Sequence, residues 1–348
     1  MSVERVDPHE HVAERGPDGA MWALDIVPLR RAQHPLERNH IRKRLSKEQL
    51  PRPNVDTVQD TAILDLEDSV QSVTSPGVTK RLKMQAREHA RTFYEEYRDL
   101  VRRLRPGFRI NAISTSEFST DVETLEHLSG CEPLACVIIA KVTSADELLR
   151  SRDALAGVRF DELIPIVESV EGVHRLPEIL VAAETADVRS VVYGHYDYSA
   201  DAGVWPFLDQ DQQAFWASVD PLIYTIEAGG FTYVHPPYSN LGDEAGLVRV
   251  LNRLARRCQR AFGMATLSLG QTKWCARFSP DDTSRDDDLM RVDECSPEGA
   301  RALAICVQEA YESGSRKGLS FSRDRKTGHF ISPHEYRAAL AYLRWTGT

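Results

Sequence analysis

The constraint that narrows the fold most is an alternation. Eight short apolar runs, at 22–29, 62–66, 108–111, 136–142, 163–167, 191–193, 231–234 and 266–269, are mostly separated by longer stretches of helical periodicity. Those stretches lie at 78–104, 121–128, 144–155, 172–183, 212–228 and 243–262. A run that is apolar at nearly every position, rather than at every second one, predicts a strand buried on both faces. That is the condition of a parallel sheet covered by crossover helices. Eight such units close as a (β/α)8 TIM barrel. An open doubly wound sheet has the same alternation, but the count of eight and the absence of a G-x-G-x-x-G turn after the first run favour the barrel. With 348 residues, the chain accommodates a barrel over 21–283, an N-terminal arm over 1–20 and a C-terminal extension over 284–348.

Composition removes several function classes. A net charge of −9 argues against nonspecific nucleic-acid binding, which depends on clustered Lys and Arg neutralising phosphates. The basic stretch at 30–52 (Arg30, Arg31, Arg38, Arg42, Lys43, Arg44, Lys47 and Arg52 against Glu37 and Glu48) reads either as a solvated helix and loop or as an anion-binding surface. The six cysteines have no C-x-x-C spacing, so neither a zinc knuckle nor a disulfide framework is expected. No apolar run reaches the roughly 18 residues of a membrane helix, and the N-terminus has no apolar signal region, so a cytoplasmic protein is expected.

Chemistry in a barrel collects at the carboxyl ends of the strands. There the chain places Asp65, Glu67 and Asp68 after the second run, Arg109 and Asn111 on the third, and Lys141 on the fourth. Glu168 ends the fifth, His195 and Asp197 follow the sixth, His235 the seventh, and Gln271 the eighth. Glu168 and Asp197, on neighbouring strand ends, are placed to share a hard divalent cation, Mg2+ or Mn2+; the competing reading is that they cap the following helices. Strand alternation sends Asp65 and Glu67 to one face and Leu66 and Asp68 to the other. Arg109 either grips a substrate carboxylate through its planar fork or neutralises the strand-two acids. Lys141 is a substrate contact or an ion-pair partner. His195 is a candidate base, since an imidazole titrates near neutrality, or a hydrogen-bonded barrel histidine.

At these residues the chain resembles the citrate lyase beta subunit family, within the aldolase-like carbon–carbon bond lyases. The matching stretches keep one order: Ile63-Leu-Asp-Leu-Glu-Asp-Ser-Val70 with Lys83 and Arg87 downstream, Arg109-Ile-Asn111, Lys141-Val142, Ile166-Val-Glu-Ser-Val-Glu-Gly-Val173, Gly194-His-Tyr-Asp197, the segment from Pro236 to Leu247, and Phe278-Ser-Pro280. The resemblance implies a Mg2+-dependent lyase, or the reverse condensing enzyme, acting on a hydroxy or oxo acid or its acyl-CoA thioester. It implies Glu168 and Asp197 as metal ligands and Arg109 on the substrate. It places Asp65, Glu67 and Asp68 beside the metal, where they order its waters. The backbone amides of Val170, Glu171 and Gly172, at a helix start, are expected to receive the substrate's carboxylate. A homo-oligomer, trimer or hexamer, is implied as well. The alternative from another class is a binding or scaffold protein on a barrel that lost its activity.

Two departures bear on substrate. Where the family has Gly-Phe-x-Gly-Lys and then Ile-His-Pro-x-Gln, this chain reads Gly263-Met-Ala-Thr-Leu-Ser-Leu-Gly-Gln271. The loop after the first strand is also longer and basic. Both surround the mouth, so an oxo acid such as pyruvate, oxaloacetate or glyoxylate is expected and citryl-CoA is not. The C-terminal part predicts a helix over 300–313, a hairpin around a Lys-Thr-Gly turn and a helix over 334–343, an oligomerisation arm or active-site cover that lacks the family's acid near Ser332. The acidic stretch at 281–288 reads as a solvated loop.

Overall fold

The apolar runs assemble as expected. In the computed structural model, which describes residues 21–28, 61–72, 76–280, 295–315, 322–324 and 328–347, eight parallel strands close into a barrel in sequence order. They are β1 (Met21–Pro28), β2 (Thr61–Asp65), β3 (Gly107–Ile110), β4 (Val137–Ile139), β5 (Leu163–Val167), β6 (Ser190–Tyr193), β7 (Thr232–His235) and β8 (Phe262–Thr266). The outer layer comprises α1 (Pro76–Glu96), α2 (Arg98–Leu104), α3 (Phe118–Cys131), α4 (Ala145–Ala154), α5 (Val170–His174), α6 (Leu176–Ala183), α7 (His195–Asp201), α8 (Gln213–Ala228), α9 (Glu244–Arg257) and α10 (Leu269–Arg277).

Two cores explain why the strands read as unbroken apolar runs. Leu24, Ile63, Cys136, Ile138, Ile164, Ile166, Val192 and Val234 fill the barrel interior. Alternating strand residues such as Ala62, Leu64, Val137, Leu163 and Val191 face the helices. With both faces buried, every position gains by being apolar.

Three boundaries differ from the periodicity. The helix expected to run to 262 ends at Arg257, with extended backbone at Cys258. The next residues enter the sheet, where Gly263 and Met264 pair with Val234 and His235. The run at 266–269 is therefore the exit of β8: the Ser268 hydroxyl accepts from the Gln271 amide and starts α10, a capping signal hidden among leucines. The expected helix at 78–104 is two, broken at Tyr97.

Beyond the barrel, α11 (Pro297–Ser315), a two-stranded antiparallel ribbon of β9 (Ser322–Arg323) and β10 (Phe330–Ile331), and α12 (Pro333–Trp345) form the extension. It has its own core of Ala304, Val307, Tyr311, Ile331, Tyr336, Ala339 and Leu343, with the Tyr311 and Tyr336 rings stacked 4.3 Å apart. The Trp205 indole N–H donates to the Ala300 carbonyl at 3.0 Å, tying this unit to the loop after α7. The N-terminal arm, the basic stretch at 30–52 and the acidic stretch at 281–288 lie outside the described residues. Among the described residues, no helix is long and apolar enough to cross a membrane.

Candidate active site at the barrel mouth

The site begins where β2 stops. The Asp65 carboxylate accepts from the Glu67 and Ser69 amides, each at 3.0 Å, and this turns the chain out of the strand. Asp65 stands in register with Arg109 on β3, whose Nε and Nη2 donate to its two oxygens at 2.8 and 2.7 Å. Burial raises a carboxyl pKa, but the Arg109 charge and these hydrogen bonds hold Asp65 below the ordinary value. The carbonyls exposed by the turn are also met: Lys83 Nζ donates to Leu66 and Glu67 oxygens at 3.3 and 3.2 Å and to the Asn111 side-chain oxygen. The Asn111 side chain in turn donates to Asp121, which pairs with Arg87.

Because the strand ends at Asp65, alternation no longer governs the next residues. Glu67 and Asp68 both turn toward the mouth, and only Leu66 packs into the outer core. The Glu67 carboxylate accepts from Lys141 Nζ at 2.8 Å. That ammonium also lies 3.0 Å from Asp197 and 3.7 Å from Asp68. Lys141 has φ 56°, a left-handed conformation uncommon for a residue with a Cβ, and its amide donates to Glu168 at 2.9 Å. A Cβ at Gly194 would collide with the Glu168 carboxylate, so the glycine before His195 makes room for the acid.

The charges in this cluster do not cancel. Burial, then the Asp197 charge, pushes Glu168 well above the ordinary carboxylate range. Burial and Asp68 push Glu67 up to about 7, against the pull of Lys141 and Arg109. Asp68 goes the other way: burial opposes its ionisation, but Lys141 and His334 hold it well below its usual value. The Glu67 Oε2 atom is buried without a hydrogen-bond partner.

These groups open onto a cavity of about 170 Å3 lined by Asp65, Asp68, Arg109, Glu168, Asp197 and His334 at the rim and by apolar barrel residues beneath. Several expected residues stand elsewhere. Val170, Glu171 and Gly172 do not line it. The Val170 amide donates to Asp201 and the Gly172 amide to Ser169, so two of the three expected anion donors are already engaged. His195 lines the wall, but its Nε2 meets the Leu208 carbonyl at 2.8 Å and burial lowers its pKa to about 4. His235 is fully buried against Trp216. The Gln271 side chain accepts from Leu267 N–H and donates to the Tyr238 carbonyl. Arg109 has turned its Nε/Nη2 edge to Asp65, leaving Nη1 toward Glu67 at 3.5 Å.

The residue not anticipated is His334. It reaches the mouth from α12, whose start is fixed by the Ser332 hydroxyl accepting from Glu335 N–H. Its Nε2 lies 3.3 Å from Asp68 and its Nδ1 3.3 Å from Asp197. The Ser-Pro-His-Glu run marks a helix start, but nothing in the spacing ties residue 334 to residues 68 and 197.

The donor set is rich in carboxylate oxygens, includes an orphaned buried oxygen and already surrounds one cationic atom. It fits a hard divalent cation.

No protein-family model and no curated protein matches this chain. Its fold is similar to that of RipC from Yersinia pestis, with 20% identity, a TM-score of 0.52, and coverage of 75% of this chain and 96% of that one. It is also similar to protein CitE from Mycobacterium tuberculosis in complex with magnesium, acetoacetate and coenzyme A, with 19% identity, a TM-score of 0.51, and coverage of 95% and 99%. The barrel and its flanking elements are thus shared with structures solved before.

Proposed function

We propose that this chain is a divalent-cation-dependent carbon–carbon lyase, or the condensing enzyme of the reverse reaction, acting on a hydroxy or oxo acid or its acyl-CoA thioester. The observation that carries the reading is the cluster at the strand ends: Asp68, Glu168 and Asp197 converge above a cavity, and burial together with Asp197 pushes Glu168 well up. A concentration of buried negative charge destabilises a protein unless it holds a cation. A protein serving only as a scaffold has no use for it. The complex of the CitE structure with magnesium and acetoacetate agrees with a small oxo acid at such a mouth.

In this reading Glu168 and Asp197, with Asp68, hold Mg2+ or Mn2+. The ion supplies Lewis-acid stabilisation for the charge that develops on the oxo-acid oxygens as the bond breaks. Arg109 Nη1 and Lys141 line the approach of the substrate's carboxylate. Asp65, saturated by four hydrogen bonds, holds Arg109 in place. His195 belongs to the frame, because a group with a pKa near 4 and its Nε2 on a carbonyl takes up no proton at neutral pH. The departure at 263–271 makes an oxo acid such as pyruvate, oxaloacetate or glyoxylate the favoured product over those of citryl-CoA cleavage.

The test is a panel of hydroxy acids and their CoA thioesters, followed for oxo-acid release with and without EDTA. Release that stops in EDTA and returns with Mg2+ or Mn2+ is the expected result. Turnover indifferent to EDTA removes the cation from the reading, and rapid citryl-CoA cleavage removes the altered specificity.

A further inference from the structure

One cluster adds a nitrogen donor from a distant part of the chain to two of the strand-end acids. One donor atom each from Asp68, Asp197 and His334 lies within 4.8 Å of the others. They come from the turn after β2, the start of α7 and the first turn of α12. Around a six-coordinate ion with bonds of about 2.1 Å, adjacent donors stand roughly 3 Å apart and opposite ones roughly 4.2 Å apart. One ring nitrogen can bind a given ion, and the 3.3 Å separation of His334 Nδ1 from Asp197 fits adjacent positions on it, with Nε2 left toward Asp68.

Each nitrogen of the His334 ring faces a carboxylate oxygen, and a neutral imidazole offers one N–H and one lone pair. An ion taken up by one nitrogen leaves the other to donate to its own carboxylate, so the ring is placed to serve both aspartates. An independent observation places positive charge at the same acids. Lys141 Nζ stands 3.0 Å from the Asp197 Oδ1 that faces His334, and 3.7 Å from Asp68. His334 is buried and its backbone is held by the Ser332 cap, with Pro333 at the first position of the helix. The donor is therefore preplaced.

We infer that His334, from the C-terminal extension, is a direct ligand of the divalent cation, and that its nitrogen shifts the site from Mg2+ toward borderline ions such as Mn2+ and Co2+. Mg2+ takes oxygen donors almost exclusively, whereas imidazole suits the transition series, with affinity rising from Mn2+ to Co2+. The inference rests on the proposed cation-dependent reading and sharpens it. It makes the extension part of the metal centre of its own barrel.

The experiment uses the full chain, with MgCl2, MnCl2 and CoCl2 titrated calorimetrically into wild type, His334→Ala and His334→Gln. Mn2+-loaded wild type is then examined by electron spin-echo modulation for nitrogen coupling. Expected are Co2+ and Mn2+ affinities at least tenfold above that for Mg2+ in wild type. A loss of tenfold or more for Co2+ is expected in both variants, with the Mg2+ affinity changed less than threefold. Nitrogen modulation should be present in wild type. Mn2+ bound without nitrogen modulation, or equal Co2+ affinity in wild type and variants, overturns the ligand role while the lyase reading stands. Wild type that binds none of the three ions overturns both. The nitrogen signal is read on wild type, so the test does not depend on either variant folding.

Discussion

Asp65 and Asp68 stand three residues apart and belong to sectors of the mouth that meet burial in opposite ways. In the β2–β3 sector Asp65 is fully buried and answered by two amides and both donors of the Arg109 edge. Behind it Lys83, Asn111, Asp121 and Arg87 pair off in turn. In the sector formed by β4, β5, α7 and α12, Glu67, Asp68, Glu168 and Asp197 share Lys141 and His334, and one Glu67 oxygen has no hydrogen-bond partner. A closed network stabilises the fold. An open one keeps capacity for a ligand, at a cost in stability.

The sharpest way to break the comparison is Asp65→Asn, which takes from the buried Arg109 its bidentate partner and leaves it only the longer contacts to Glu67 and Asp68. It should cost about 3–5 kcal/mol in urea denaturation. A cost under about 1 kcal/mol, together with abolished activity, would move Asp65 into the reacting sector.

Glu168→Gln is expected to do the reverse. It should lower turnover by roughly 100-fold, about 2.7 kcal/mol, and leave the melting temperature of the metal-free protein unchanged or raised. Equal Mg2+ or Mn2+ affinity in wild type and variant would show that Glu168 is not a ligand.

The smallest of the three effects is a pH dependence. Glu67 is raised to about 7 from the ordinary 4.5, so the native state binds its proton more tightly than the unfolded chain does. The stability this contributes is complete below about pH 4.5 and is lost as pH rises through about 7. Between pH 5 and pH 8 about 2.5 kcal/mol of it is lost. Asp65 and Asp68 are shifted down, so their contributions vanish only under more acidic conditions. In EDTA the melting temperature should therefore fall from pH 5 to pH 8, and Glu67→Gln should flatten the slope. Parallel slopes in the two proteins would contradict the assignment.

The barrel was legible because burying a strand on both faces leaves a local mark: Leu163 to Val167 is apolar throughout, and the residue after it is free to be Glu168. The boundaries went astray where one local signal resembled another. The apolar pattern of α9 ran on into β8, and the Ser268 cap lay inside a run of leucines. Strand alternation alone sends Asp68 to the face opposite Asp65, whereas the family resemblance sets both beside the metal; the alternation stops applying at Asp65, where the carboxylate's own hydrogen bonds end the strand. The amides at 170–172 were identified as donors, but the acceptors that engage them, Asp201 and Ser169, depend on how the chain folds back.

The sequence alone determined the alternation, the strand-end placement of Asp65, Arg109, Lys141, Glu168 and Asp197, and hence a mouth able to carry chemistry. Each of these follows from the period of a strand and from where its run stops. Tertiary structure decided which acids are satisfied and which are not: Asp65 is closed off because β3 lies in register beside it, whereas Glu67 keeps one buried oxygen without a hydrogen-bond partner. His334 joins the site across more than 260 residues of chain through a packed ribbon and a capped helix. No local spacing records such a contact, because it is set by how the extension's core seats on the barrel.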